Sequence, residues 1–187
     1  RNIFSHFGLL LHDYEGKGLA YAIEQFPNSD VPPRVVFHIS NGLVKSTRVY
    51  PNQSNSFEWS MYSPSAMLKR FGAPSKVTFG LQVIHEPTPT PWKGWYRMTV
   101  FYDHLDLIVN YGDSEIRLGE FITVCPNKDD FEGVRIWLGK SPHHPPSPTQ
   151  DGPLEQVTSF TPESFRDFLL LGPGACFDLK ASSIPIY

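Results

Sequence analysis

Apolar and polar positions alternate most clearly at Val77, Phe79, Leu81 and Val83, which fall on every second residue. Successive side chains of a strand point to opposite faces, so this spacing predicts a strand with one buried face. Immediately upstream, Ser63-Pro64-Ser65-Ala66-Met67-Leu68-Lys69-Arg70-Phe71-Gly72 changes the period. Met67, Leu68 and Phe71 share one side of a short helix; Ser63 offers an oxygen to its free amide groups, Pro64 suits its first position and Gly72 suits a left-handed stop. A proline-rich connection from Glu86 to Pro91 leads to Trp95–Tyr102 and then, across Asp103-His104, to Leu105–Tyr111. Ser63 to Tyr111 therefore reads as one capped helix followed by a three-stranded antiparallel meander, with Gly80 as a candidate bulge.

Similar patterns flank this unit. Asn41-Gly42 lies between two alternating, β-branched runs in Arg34–Tyr50, and that dipeptide tolerates the positive φ angles of a type I′ hairpin turn. Phe7–Tyr14 and Leu19–Phe26, around Glu15-Gly16-Lys17-Gly18, predict a second hairpin, with a helix over Gly18–Phe26 as the alternative. Phe121–Cys125 and Val134–Leu138 read as strands, and Lys140–Pro153 as a loop rich in proline, serine and histidine. Thr161-Pro162-Glu163-Ser164 opens a second helix, with Phe165, Phe168 and Leu169 on one face and a stop near Gly172-Pro173-Gly174. The predicted class is α+β: a twisted antiparallel sheet with one or two short helices, in a single compact domain over residues 1–187. Because the helix opening recurs, two tandem helix-plus-meander units, sub-repeats 1–60 and 61–187, are the alternative organisation.

Composition narrows the setting. A length of 187 residues and 40 % hydrophobic content suffice for a core, while a net charge of −3 and a pI near 6.2 carry no cationic footprint for nucleic acid. No apolar run approaches the roughly 20 residues that span a bilayer. The chain begins at Arg1, so a removed signal segment or an upstream lipid anchor is an expectation. Its 18 Pro, 14 Phe, 8 Tyr and 4 Trp, with only 19 % charged residues, point to an extracytoplasmic β-rich protein, whether secreted, periplasmic or held at the outer surface of a membrane. In that compartment the two cysteines, Cys125 and Cys176, are expected to pair, with two free buried thiols as the alternative.

Candidate chemistry is sparse. His143-His144, with Asp151 folding back, would be needed for a metal, and Asp103-His104-Leu105-Asp106 sets two carboxylates and an imidazole at a strand turn. Solvated loop and turn residues are the preferred reading of both. Cys176 has no adjacent histidine base, and Gly16-Lys17-Gly18 and Gly172-Pro173-Gly174 lack phosphate-loop spacing. Asn52-Gln53-Ser54 is formally a glycosylation acceptor, meaningful only in a pathway that glycosylates. The stretch from Pro87 to Tyr96 is the most functional in character, because Trp92 and Trp95 on a proline-stiffened hairpin loop offer rigid apolar surface with little entropy to lose on binding. Trp92, Trp95 and Tyr96 are the candidate binding residues, with one of Trp95 and Tyr96 expected to face the core. No catalytic residue, metal ligand or cofactor is expected.

The run Ser-Pro-x-x-x-Leu-x-x-Phe-Gly-x-Pro-Ser-x-Val, Ser63 to Val77, with the meander to Tyr111, resembles the helix-then-sheet unit of small envelope lipoproteins and inhibitors of the BamE and β-lactamase-inhibitor-protein type. It is also similar to bacterial secreted proteins that repeat this unit and end in a Phe-rich helix followed by Ala-Cys-Phe, here Ala175-Cys176-Phe177. The match covers about a quarter of the chain. It implies an exported scaffold that works by binding, with no catalytic residues to carry over. The leading expectation is thus a non-enzymatic extracytoplasmic binding or accessory protein with a protein partner in the cell envelope. The alternatives are a carbohydrate or small-ligand module using Trp59, Tyr62 and Trp92, and, third, a hydrolase-like or metal-dependent enzyme using Asp103, His104 and Asp106.

Overall fold

The computed structural model describes residues 9–13, 19–23, 35–40, 43–49, 62–83, 93–117, 120–128, 131, 133–138 and 151–184, with the segments before residue 50 and a few later strand positions described as backbone alone. The strands are β1 (Leu9–Asp13), β2 (Leu19–Ile23), β3 (Val35–Ser40), β4 (Leu43–Val49), β5 (Lys76–Val83), β6 (Lys93–Tyr102), β7 (Leu107–Arg117), β8 (Phe121–Val124), β9 (Gly133–Leu138), β10 (Gly152–Pro153) and β11 (Phe177–Lys180). Among the described residues three α-helical segments accompany them, α1 (Pro64–Phe71), the single turn α2 (Leu154–Val157) and α3 (Pro162–Leu169), with 3-10 turns at Asp103–Leu105 and Ala181–Ser183. Nine strands form one sheet in the order β1-β2-β3-β4-β9-β7-β6-β5-β10, and β8 pairs with β11 in a second. Every pair is antiparallel. The fold is α+β, as expected.

Local chemistry explains the helices. Ser63 Oγ accepts from the Ala66 amide at 3.3 Å, Pro64 takes the first position, and Gly72 leaves α1 at φ +82° while its amide donates to the Leu68 carbonyl at 2.9 Å. In α3 the Ser164 amide donates to Thr161 Oγ1 and the Thr161 amide to Ser164 Oγ, a reciprocal cap that satisfies two otherwise free donors. The early hairpins form as strands: Leu9 lies opposite Ile23, and Ser40 opposite Leu43 across the two-residue Asn41-Gly42 connection. Both hairpins belong to the same sheet as the meander, through the pairing of β4 with β9.

One hydrophobic cluster fills the inner side of that sheet. Val77, Phe79, Leu81, Tyr96, Met98, Val100, Val109 and Tyr111 meet Met67 and Leu68 of α1, Leu154 and Val157 of α2, Phe165 and Leu169 of α3, and Ile122, Val124, Phe177 and Leu179 of the small sheet. Phe79 and Phe165 stack edge to face at 6.5 Å, and Phe177 meets Phe79, Phe160, Phe165 and Phe168 at 5.4 to 6.1 Å. Fully burying a side chain of this size is worth about 1.5–3 kcal/mol, so this aromatic nest anchors α3 to the sheet.

Several details differ from the sequence reading. Gly80 sits in regular register opposite Arg97, and the irregularity lies instead between β6 and β7, where two residues, Gly112 and Asp113, stand against Arg97 alone. That bulge resets the alternation, so Tyr111 and Ser114, three apart, both face inward. Leu105 lies in a 3-10 turn, Asp103–Leu105, rather than in β7. The stretch from Lys140 to Pro153 is not all loop, since Gly152 and Pro153 pair with Phe79 and Thr78 at the edge of β5. The strand β11 and the turn α2 were not anticipated.

Cys125 and Cys176 form a disulfide. Cys125 directly follows β8 and Cys176 directly precedes β11, so the bridge extends that ladder beyond the Phe177–Val124 pair. Two residues on, Asn127 joins the layers: its Nδ2 donates to the carbonyls of Leu169 at 2.8 Å and Gly172 at 3.2 Å, and its Oδ1 accepts from the Ser65 amide at 2.9 Å. This single amide satisfies the start of α1 and the end of α3. Asn127→Ala is expected to cost about 2–3 kcal/mol, from three hydrogen bonds at roughly 1 kcal/mol each, read as a lower urea midpoint at unchanged slope.

Candidate functional site

Of the candidate binding residues, Trp95 lies on the face of β5, β6, β7 and β9 that is turned away from the core. Register sets its rows. Lys76, Phe101, Ile108 and Trp137 lie side by side across the strands; Thr78, Thr99, Asn110 and Arg135 form the next row, and Gln82, Trp95 and Glu115 a row farther along. This face is not a plain polar one. The Lys76 ammonium lies 5.5 Å from the Phe101 ring centroid and the Arg135 guanidinium 5.5 Å from that of Trp137. Phe101 and Trp137 are nonetheless buried, as are Thr78 and Thr99, and the exposed positions of this face lie at its other end, at Gln82 and Glu115.

Polar groups in the same rows are matched. Asn110 Nδ2 donates to Thr99 Oγ1 at 2.8 Å, and Asp151 receives Thr78 Oγ1 at 3.2 Å on one oxygen and Arg97 Nη2 at 2.9 Å on the other. Asp151 is only 3 % exposed and Arg97 17 %. Asp151, considered from sequence as a partner for His143-His144, is held by Arg97, 54 positions away in the chain. The next residue, Gly152, leaves no room for a side chain: a Cβ there would lie 2.7 Å from Val157 Cγ1 and 3.0 Å from the Ser183 carbonyl oxygen. The ion pair ties Asp151 to β6, the close approach packs Gly152 on Val157 and Ser183, and backbone pairing sets β10 against β5. Of the charged side chains described on this face, Lys76, Arg97, Arg117 and Arg135 outnumber Glu115 and Asp151, although the whole chain carries a net charge of −3.

Trp95 and Tyr96 separate by strand alternation. Trp95 is half-buried on the outer face. Tyr96 points inward, 0 % exposed, with its ring 6.4 Å from Phe79 and 5.5 Å from Phe131. As a binding residue Tyr96 is corrected: it is core, because its neighbours on β5 and β7 present their apolar faces there. Trp92 lies outside the described residues, as do Trp59, the Asn52-Gln53-Ser54 triplet and His143-His144. Tyr62 is half-buried at the turn before α1.

Asp103, His104 and Asp106 form an exposed turn. The Asp103 amide donates to Ser75 Oγ at 2.9 Å, Asp106 takes a left-handed φ of +48° with its amide on the Asp103 carbonyl, and the His104 ring meets Tyr102 edge on at 6.3 Å. These are turn contacts, as the preferred sequence reading holds. Among the described residues no three His, Cys, Asp or Glu side chains converge as a metal-holding group. Burial raises the phenols of Tyr102 and Tyr111 above the usual tyrosine range, with Tyr102 adding to the effect at Tyr111, so both remain neutral in the core.

Among the described residues no helix is long and apolar enough to cross a membrane. The disulfide fits an extracytoplasmic protein. No protein-family model, no curated protein and no solved structure matches the chain.

Proposed function

We propose that the protein is a non-enzymatic binding or accessory subunit of a bacterial envelope assembly, secreted or held as an ectodomain outside the cytoplasm. It contacts a protein partner through the Gln82, Trp95 and Glu115 end of the outer face of β5–β6–β7 together with Trp92. The observation that carries this reading is Trp95: a half-buried tryptophan on a polar-and-aromatic sheet face, at the end of the meander from which the Pro87–Trp92 segment leaves. Large, rigid aromatic side chains supply most of the energy in protein interfaces, and a partner that covers Trp95 removes apolar area at little entropic cost. The resemblance of Ser63–Val77 to exported helix-then-sheet binding proteins supports the same reading.

Trp92→Ala and Trp95→Ala are each expected to weaken a complex isolated from the native envelope by at least about 10-fold, since truncating an interface anchor costs roughly 2 kcal/mol or more. Circular dichroism and thermal midpoint should stay near wild type. Unchanged affinity in both variants would count against this surface. A second reading rests on Gln82 and Glu115 beside Trp95, an arrangement in which a sugar ring stacks on the indole and polar groups take its hydroxyls. Glycan-array binding lost in Trp95→Ala would favour it.

A further inference from the structure

We infer that the proline-rich segment of residues 139–150 crosses the outer face of the main sheet and covers it from Trp137 to Thr78. The observation is burial on the side away from the core. Trp137 is 5 % exposed, Phe101 9 %, Thr99 3 % and Thr78 0 %, and by strand alternation all four point away from the inner cluster. Among the described residues α1, α2, α3 and the small sheet all pack with that cluster, on the opposite side. An antiparallel sheet with one face on the core commonly leaves the other face wet. A tryptophan there with one arginine over its ring keeps accessible edges, so burial of this depth calls for another layer of chain.

The two ends of the segment fix its route. Leu138 pairs with Leu107 at the end of β9, while Asp151 stands beside β5, beyond β7 and β6, and bonds Thr78 and Arg97 on the outer face. From β9 to β10 is four strand spacings, about 19 Å, and the offset along the strands brings the diagonal to about 23 Å. The 12 residues between Leu138 and Asp151 reach about 40 Å at the polyproline rise of about 3.1 Å each, so the crossing is well within their length. The inner face is filled, and Ser75 and Asp103 to Asp106 are exposed, so the segment does not run around that end of the strands. The outer face remains. Pro142, Pro145, Pro146 and Pro148 bring no amide hydrogen that would need a partner there, and polyproline segments dock on aromatic-lined surfaces such as that of Phe101 and Trp137. The inference stands without the proposed partner, and it leaves the Gln82 and Glu115 end of the face as the part open to one.

Replacing residues 140–149 by glycine and serine at equal length tests the crossing, read by hydroxyl-radical labelling with residue-level mass spectrometry. Labelling of Trp137 is expected to rise several-fold over wild type, while that of Trp95, at the other end of the face, changes little and circular dichroism remains that of the folded sheet. Trp137 protected as in wild type, in a folded variant, means that another part of the chain covers it and overturns the inference. A second measurement needs no variant. In the wild-type protein, nuclear Overhauser contacts between the Trp137 indole and the side chains from Pro142 to Pro148 support the crossing, and their absence once the Trp137 ring is assigned overturns it.

Discussion

Replacing Cys125 and Cys176 together by serine is expected to lower the unfolding free energy by about 4 kcal/mol, the chain-entropy value for a closed loop of 51 residues. For a domain of this size that corresponds to a fall of roughly 8–16 °C in thermal midpoint. The folded state should change little. Phe177 through Lys180 already pair with Val124 through Phe121, so the backbone ladder of β8 and β11 keeps the two cysteine positions adjacent without the covalent bond. The loss therefore arises largely in the unfolded chain, which gains freedom when the loop opens, and the urea slope should rise as that chain expands. Intact mass under non-reducing conditions should be lower by two hydrogens than after reduction. Two free thiols, or an unchanged midpoint on full reduction, would remove the chief support for an extracytoplasmic setting.

The second large effect is expected at Asp151. Asp151→Ala should cost about 3–5 kcal/mol, because it removes the counter-charge from an arginine that is largely withdrawn from water and strands the Thr78 hydroxyl as well. The side chains of Asp151 and Arg97 are 3 % and 17 % exposed, so neither charge can recover its hydration without displacing β10. Removing both charges should be less harmful than removing the carboxylate alone. In a cycle of Asp151→Ala, Arg97→Met and the pair, the double variant is therefore expected to be more stable than Asp151→Ala by about 1–2 kcal/mol. Urea unfolding reads the energies, and amide exchange should show protection lost first at Thr78 and Phe79, where β10 covers the sheet edge. Additive effects, with the double variant the worst, would mean that the two charges are not coupled.

The parts legible in advance are those whose physics is local. Ser63, Pro64 and Gly72 act within one turn of α1, and Thr161 with Ser164 within one turn of α3, so the residues themselves mark where each helix begins. Asn41-Gly42 marks a two-residue hairpin connection because the φ angles it tolerates belong to the dipeptide alone. The alternation at Phe177 and Leu179 was present too. Four residues, however, are too short a run to distinguish a strand from a tail, and only its pairing with β8 makes it one.

Alternation also announced that Trp95 and Tyr96 point in opposite directions without saying which is inside. That was decided by α3, β8 and β11 covering one face of the sheet, which makes Tyr96 core and leaves Trp95 on the other side. Asp151 shows the same division more sharply. Its loop composition suggests a solvated carboxylate, and only the approach of β10 to β5 brings it to Arg97, 54 residues earlier. The residues alone thus determined the caps, the turn and the α+β class, because dihedral preference and hydrogen bonds within a turn act over a few positions. The tertiary structure decided which aromatic is buried, which charges meet and which strands the disulfide joins, because burial and charge pairing depend on segments that meet only after the chain has folded.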